Sequence, residues 1–260
     1  MVGDPRVVMC TYLSRARLCV GDLEGARRSA DDGLDEARRL GQVYTICHAL
    51  FQKGYVTANL ASPAAALPEF EETRMLAHEH GIAFFEGCGT IMAGWCLCMA
   101  GEHERGWPLL QGGIAAYRGS GCRLYVPSFL RFGAEALARV GRPEEALELL
   151  EEAQAEIDAT SARWDEPEVA RLRGGILATH GDHDGAAAAF RDAVRLARAS
   201  GARLFELRAA MDQADLELRR GGPSEAGRAL LPTYRKFPHR GTATDVLRAR
   251  QLAERVSHAI

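Results

Sequence analysis

Several things are scarce in this 260-residue chain, and each shortage excludes something. Lysine is nearly absent: among 32 basic residues only Lys53 and Lys236 are lysines. Lys53 sits in Phe-Gln-Lys-Gly and Lys236 in Arg-Lys-Phe-Pro. Neither is the Gly-x-x-x-x-Gly-Lys-Ser/Thr setting of a phosphate-binding loop, so no ATPase core is expected. No stretch reads as a run of strands, which removes a nucleotide-cyclase core as well. There is no basic excess either. Lys and Arg total 32 against 35 Asp and Glu, and the net charge is −3. A general nucleic-acid or membrane-surface binder would show the opposite balance. No apolar run approaches the roughly 20 residues of a membrane span. No basic-then-apolar leader opens the chain, so a cytoplasmic protein is expected. The seven cysteines are odd in number, all between Cys10 and Cys122, and embedded in apolar stretches such as Trp95-Cys96-Leu97-Cys98-Met99. That excludes a small disulfide-built domain and predicts free, mostly buried thiols. Aromatics are only 7%.

What is abundant is alanine, with 43 residues, alongside Leu, Glu and Arg. With 47% hydrophobic and 26% charged residues the chain is ordered, and this composition favours helix almost throughout. The glycines then set a period. Gly21, Gly101, Gly141, Gly181 and Gly221 sit at multiples of 40, with Ala61 in the gap. A second series, Gly41, Gly81, Gly121, Gly201 and Gly241, alternates with it, with Ser161 in its gap. Glycine after an amphipathic stretch is a helix C-terminal signal. Asp22, Ser62, Glu102, Pro143, Asp182 and Pro223, just past the first series, suit helix N-termini. The chain therefore reads as six antiparallel helix pairs. Helices A are expected near 4–20, 43–60, 83–100, 123–140, 163–180 and 203–220, and helices B near 22–40, 62–80, 102–120, 142–160, 182–200 and 222–238. A last helix, about 243–258, follows.

Within the pairs, four columns repeat in phase. The first is small: Ser14, Gly54, Gly94, Ala134, Gly174, Ala214. Twelve residues on, the second is small too: Ala26, Ala66, Gly106, Ala146, Ala186, Ala226. The third is apolar (Ala30, Phe70, Leu110, Leu150, Phe190, Leu230) and the fourth small again (Gly33, Thr73, Gly113, Ala153, Ala193, Thr233). Small residues facing each other let helices A and B approach closely.

These columns resemble the tetratricopeptide repeat, which has a small residue in helix A, an Ala twelve later, then a large apolar residue and another small one. The chain departs at the helix A Trp position (Cys10, Leu50, Thr90, Leu130, Ala170, Ala210) and just before the first small column (Leu13, Lys53, Ala93, Gly133, Arg173, Gln213). Its period is 40 rather than 34. HEAT repeats have similar periods but do not explain paired small columns. The segments Gly141-Arg-Pro-Glu-Glu-Ala146, Trp164-Asp-Glu-Pro-Glu168 and Phe205-Glu-Leu-Arg-Ala-Ala210, among others, look like the C-terminal region of large bacterial signalling proteins. Those join a cyclase, a kinase or a DNA-binding domain to an ATPase module and such an array. The resemblance implies an all-α superhelix (a TPR-like solenoid) over residues 1–260. Its repeats would run about 1–41, 42–81, 82–121, 122–161, 162–201 and 202–241, with a capping helix at 242–260.

Dense clusters of ligand-type residues have structural readings. His180-Gly-Asp-His-Asp184 lies where a tight interhelical turn is due, with Asp182 as an N-cap. His78 and His80 sit near a helix C-terminus, which favours them. Cys96 and Cys98 do not share a helix face. No metal site, no cofactor and no catalytic constellation is expected, hence no enzyme. The working surface is placed on helices A, which line the inner wall of such arrays. The residue after the small position, and those four and seven before it, include His48, Phe51, Tyr55, Trp95, Arg131, Glu135, Arg171 and Arg208. Aromatics lie toward the N-terminal half and Arg toward the C-terminal half, which would suit a peptide or protein with an apolar segment and acidic residues. Replacing Trp95 and Arg131 by Ala is expected to weaken binding with little loss of stability. The alternative is a small-ligand sensor with a pocket inside the superhelix near Tyr55 and Trp95. Val7, Val8, Met9 and Tyr12 leave the first helix uncapped, so the first pair is expected to stack on a missing repeat, on another domain, or on a second copy as a homodimer. The partners expected are thus a protein, a peptide or other domains of a parent regulator, with no direct nucleic acid and no membrane.

Overall fold

The computed structural model describes residues 3–237 and 243–259. The described residues are all-α, and the helices fall into two compact units: residues 1–18 with 22–142, and residues 19–21 with 143–260. The first unit carries α1 (Pro5–Val20) except its last two residues, α2 (Leu23–Leu40), α3 (Val43–Leu60), α4 (Pro63–Glu79), α5 (Ala83–Met99), α6 (His103–Gly119) and α7 (Val126–Arg139). The second carries α8 (Pro143–Thr160), α9 (Glu166–Thr179), α10 (His183–Ser200), α11 (Arg203–Arg219), α12 (Pro223–Lys236) and α13 (Thr244–Ala259). Among them no helix is long and apolar enough to cross a membrane.

The glycine series ends the helices as its spacing predicts. Gly21, Gly41, Gly81, Gly101, Gly121, Gly141, Gly181, Gly201 and Gly221 all have positive φ, and Gly241 lies outside the described residues. Ser161 occupies the left-handed region in its series at φ 59°, at a steric cost glycine would avoid. Ala61 does not follow: at φ −118° and ψ −82° it closes α3 without a left-handed cap. Asp22, Ser62 and Asp182 each accept an amide N–H three residues on, from Gly25, Ala65 and Gly185. Two helices start later than their spacing suggests. Pro127 and Pro167 lack an amide hydrogen and fit only a first helical turn, so α7 begins at Val126, and α9 at Glu166 after a 3-10 turn over Arg163–Asp165.

Connections of two or three residues between these helices leave no choice but antiparallel neighbours. In the first unit α3–α4, α4–α5 and α5–α6 pack in succession; in the second α9–α10, α10–α11 and α11–α12 do. Odd-numbered helices also touch one another, α3 with α5, α5 with α7, α9 with α11 and α11 with α13. All four columns are buried. A Cβ on Gly94 would lie 2.6 Å from the Leu110 nitrogen and 2.7 Å from the Gly106 oxygen, so α5 and α6 meet backbone to backbone. Gly54 and Gly174 instead receive the rings of Phe70 and Phe190 from the third column. Val7 turns inward against Leu34, Ala37, Ala49 and Leu50, whereas Met9 and Tyr12 stay exposed on α1. α13 buries Val246, Ala249, Leu252, Ala253 and Val256 and turns Arg250 and Glu254 outward.

Candidate binding face on the odd-numbered helices

A 40-residue period brings every fortieth residue to the same place on the next odd-numbered helix. In the first unit this stacks aromatic and polar groups. Trp95 on α5 donates its indole N–H to Glu135 on α7 at 3.0 Å, across a sequence gap of 40. Its ring centroid lies 4.4 Å from that of Phe132, and the Arg131 guanidinium lies 4.0 Å from the Phe132 centroid and 3.9 Å from the Glu135 carboxylate. Trp95, Arg131 and Glu135 thus form one cluster.

His48, Phe51 and Tyr55 form another. His48 stands between Tyr12 and Phe85, each with ring centroids 5.8 Å away. Burial, with the nearby Arg15 charge adding to it, lowers its pKa to about 4, so the ring is neutral at pH 7. Gln52, one turn on along α3, has its amide nitrogen 3.5 Å from the His48 ring and bonds to the Tyr125 phenol, which burial pushes above its usual pKa. Phe51 packs 5.7 Å from the Tyr125 ring. The Arg15 guanidinium stacks on Tyr55 at 4.2 Å and stands 5.5 Å from Tyr125.

In the second unit the same rows carry charge. Arg171 on α9 is bonded to Glu168 at 2.8 Å and to Asp212 on α11 at 2.7 Å. Arg208 is bonded to Asp245 at 2.7 Å and stands 3.7 Å from Glu168. Arg248 on α13 completes the ladder, bonding Asp212 at 2.7 Å and Asp215 at 2.9 Å. Burial works against the charge on Arg171 and Arg208, but Glu168 and Asp212, and Asp245 and Glu168, outweigh it and raise both pKa values. The guanidiniums that sequence reasoning set aside for acidic residues of a partner are therefore already engaged by the chain's own carboxylates.

Position and exposure diverge for most of the eight residues. Phe51, Tyr55, Trp95 and Arg131 retain 3%, 6%, 5% and 6% of their surface. Trp95 and Arg131 are packed side chains, so truncating either to Ala is expected to cost stability, against the sequence-based expectation. Sequence reasoning missed Arg15 and Glu168, which occupy the same columns as Tyr55 and His48. It also missed Gln52, Tyr125, Asp212 and Asp245, whose columns carry no sequence signal of their own. The clusters of ligand-type residues resolve into local bonds. Asp182 accepts the Gly185 amide at 2.9 Å, Asp184 pairs with Arg220 at 3.1 Å, and His78 bonds Glu86 at 2.9 Å. Among the described residues no group of three His, Cys, Asp or Glu is arranged to hold a metal ion. All seven cysteines are free thiols; Cys47, Cys88, Cys96 and Cys98 are buried, and burial raises the pKa of each.

No family model matches the sequence, and no curated protein matches it. Solved structures do match the fold. A Rap protein complexed with Competence and Sporulation Factor aligns over 100% of this chain and 76% of its own, at a TM-score of 0.68 and 11% identity. NprR in complex with its cognate peptide NprX aligns over 98% of this chain and 72% of its own, at 0.63 and 13%. A Signal Transduction ATPase with Numerous Domains from Pyrococcus horikoshii, which has a tetratricopeptide repeat sensor, aligns over 88% of this chain and 36% of its own, at 0.54 and 15%. At these identities the similarity is one of fold, and the fold is that of tetratricopeptide-like helical repeats.

Proposed function

We propose that the chain is a non-enzymatic, cytoplasmic scaffold whose odd-numbered helices bind a protein or peptide segment. One observation carries this reading. Among the described residues, every buried carboxylate, guanidinium, imidazole or amide side chain (His48, Gln52, Arg131, Asp165, Glu166 and Glu168) lies on an odd-numbered helix or on the turn leading into α9. Besides apolar groups, the even-numbered helices bury the hydroxyls of Ser29, Thr73 and Thr233 and the Tyr117 phenol. Burying polar groups costs free energy that packing alone would avoid. Their confinement to one set of helices marks that set for recognition. The complexes of a Rap protein with Competence and Sporulation Factor and of NprR with its cognate peptide NprX, which share the fold, support the same reading. We further infer that the chain serves as the sensory part of a larger bacterial signalling protein, in line with the repeat sensor of the Pyrococcus horikoshii ATPase. Sequencing the genomic DNA around the coding region tests this second inference.

Peptides selected from a display library against the full chain test the binding reading by fluorescence anisotropy. Glu135→Gln, Arg131→Lys and Tyr55→Phe keep the packing and change the chemistry, and at least one should weaken binding about tenfold. Glu151→Gln and Arg195→Gln, on exposed faces of α8 and α10, should leave it unchanged. The reverse pattern, or a library that yields no saturable binder, overturns the proposal.

A further inference from the structure

The Arg15 site differs from every other row on this face. Its column continues as Tyr55 and Trp95, so where the next two repeats place a ring, α1 places a cation. The guanidinium lies 4.2 Å from the Tyr55 centroid and 5.5 Å from that of Tyr125, the residue just before α7. Both distances fall within the ~6 Å range of cation–π attraction. The two rings retain only 6% and 7% of their surface, so they meet the cation in a largely dry setting, where such attraction is strongest. Arg15 itself is partly exposed to solvent. The site also holds an unmet acceptor. Gln52 is fully buried, its amide nitrogen serves Tyr125 and faces His48, and its Oε1 has no partner. A buried oxygen without a donor is costly.

We propose that Tyr55 and Tyr125, with Gln52 beside them, form an aromatic cage for an Arg or Lys side chain of the bound segment, and that Arg15 fills this cage in the unbound chain. The inference rests on the reading of the odd-numbered helices as a peptide-binding face and names the side chain that face takes. Arg15 is then an internal competitor. Its occupancy lowers apparent affinity by the fraction of time the cage is filled, and an incoming cation must displace it, freeing α1 from its hold on α3 and α7.

The test uses the full chain and argininamide as the probe, with citrullinamide as its neutral counterpart, followed by NMR titration. Arg15→Gln keeps a polar side chain but removes the charge and is too short to fill the cage. This variant should bind argininamide about tenfold or more tightly than the wild type, since ~1.4 kcal/mol corresponds to tenfold. Adding Tyr125→Leu should abolish the gain, and citrullinamide should bind neither protein. Equal affinity for wild type and Arg15→Gln, a gain that survives Tyr125→Leu, or equal binding of citrullinamide overturns the cage. Should Arg15→Gln lose its helical circular-dichroism signal, the wild type decides. At saturating argininamide its Tyr55 and Tyr125 ring resonances must shift, and with citrullinamide they must not. Because the probe is not a peptide, a negative result removes the cage and leaves the peptide assay standing, while a positive result without peptide binding does the reverse.

Discussion

The two units share one framework and fill it differently. In both, small columns let paired helices approach and an apolar column closes the gap. On the odd-numbered helices, however, the first unit buries rings against rings, with Trp95, Phe132, Phe51 and Tyr125 at its centre. The second builds a ladder of guanidinium and carboxylate from Glu168 to Arg248. Repeat architecture constrains the helix-pair contact and leaves the outward rows free to differ. Area burial stabilises the aromatic rows roughly in proportion to ring surface. An ion ladder gains little net stability over apolar packing yet is intolerant of losing one member. The first should therefore be deep and forgiving of charge changes, the second shallow and exacting.

The largest effects test that contrast directly. Trp95→Ala should destabilise the first unit by about 3–5 kcal/mol, the usual cost of emptying a buried indole site. Arg171→Met should cost the second unit about 2–3 kcal/mol, below the range for an isolated buried pair, because Arg208 and Arg248 still neutralise Glu168 and Asp212. Combining Glu168→Gln and Asp212→Asn with Arg171→Met should recover much of that loss, whereas no second substitution near Trp95 restores its ring. Urea unfolding with hydrogen exchange read helix by helix assigns each loss to its unit. A ladder variant as costly as Trp95→Ala, with no recovery in the triple variant, would break the comparison.

A smaller effect concerns the shared framework. A Cβ at Gly94 meets backbone atoms of α6 at 2.6 and 2.7 Å, and neither can move without separating the helices. At Gly174 the obstruction at 2.7 Å is the edge of the Phe190 ring, which can pivot. Helical Ala gains about 1 kcal/mol over Gly at either place, while overpacking costs about 1–3 kcal/mol. Gly94→Ala should then lose about 1–2 kcal/mol and Gly174→Ala almost nothing, as denaturant midpoints will show. Equal losses would mean that both contacts are equally rigid.

The helix boundaries were legible because glycine, proline and capping residues act locally: each declares a turn without reference to anything distant. Ala61 shows where this stops, since a series position without glycine kept its turn and lost the left-handed cap. The columns were legible because they repeat. The site was legible only in position. Tyr55, Trp95 and Glu135 share one column, and the Trp95–Glu135 bond follows from that period. That Arg171 is already neutralised by Asp212, or that Tyr125 reaches Arg15, depends on partners 41 and 110 places away. The latter spacing is no multiple of the repeat, so periodicity cannot announce it.

The smallest difference between the units is one of acid response, and it centres on His48. The folded pKa is lowered to about 4 by burial and by Arg15, below the ordinary ~6.5 of an unfolded histidine. Between those values the unfolded chain binds the extra proton and the folded chain does not. Stability from this residue is therefore complete above pH 6.5 and lost as pH falls toward 4. By pH 5.5 the loss should reach about 1 kcal/mol. His48→Gln has no proton to take up and should erase that slope in the first unit, leaving α8 to α13 as they were. Hydrogen exchange at pH 7 and pH 5.5 on both proteins separates the two units. If His48→Gln retains the wild-type acid loss across α1 to α7, the buried neutral histidine is not its source, and the aromatic rows are as indifferent to acid as their composition suggests.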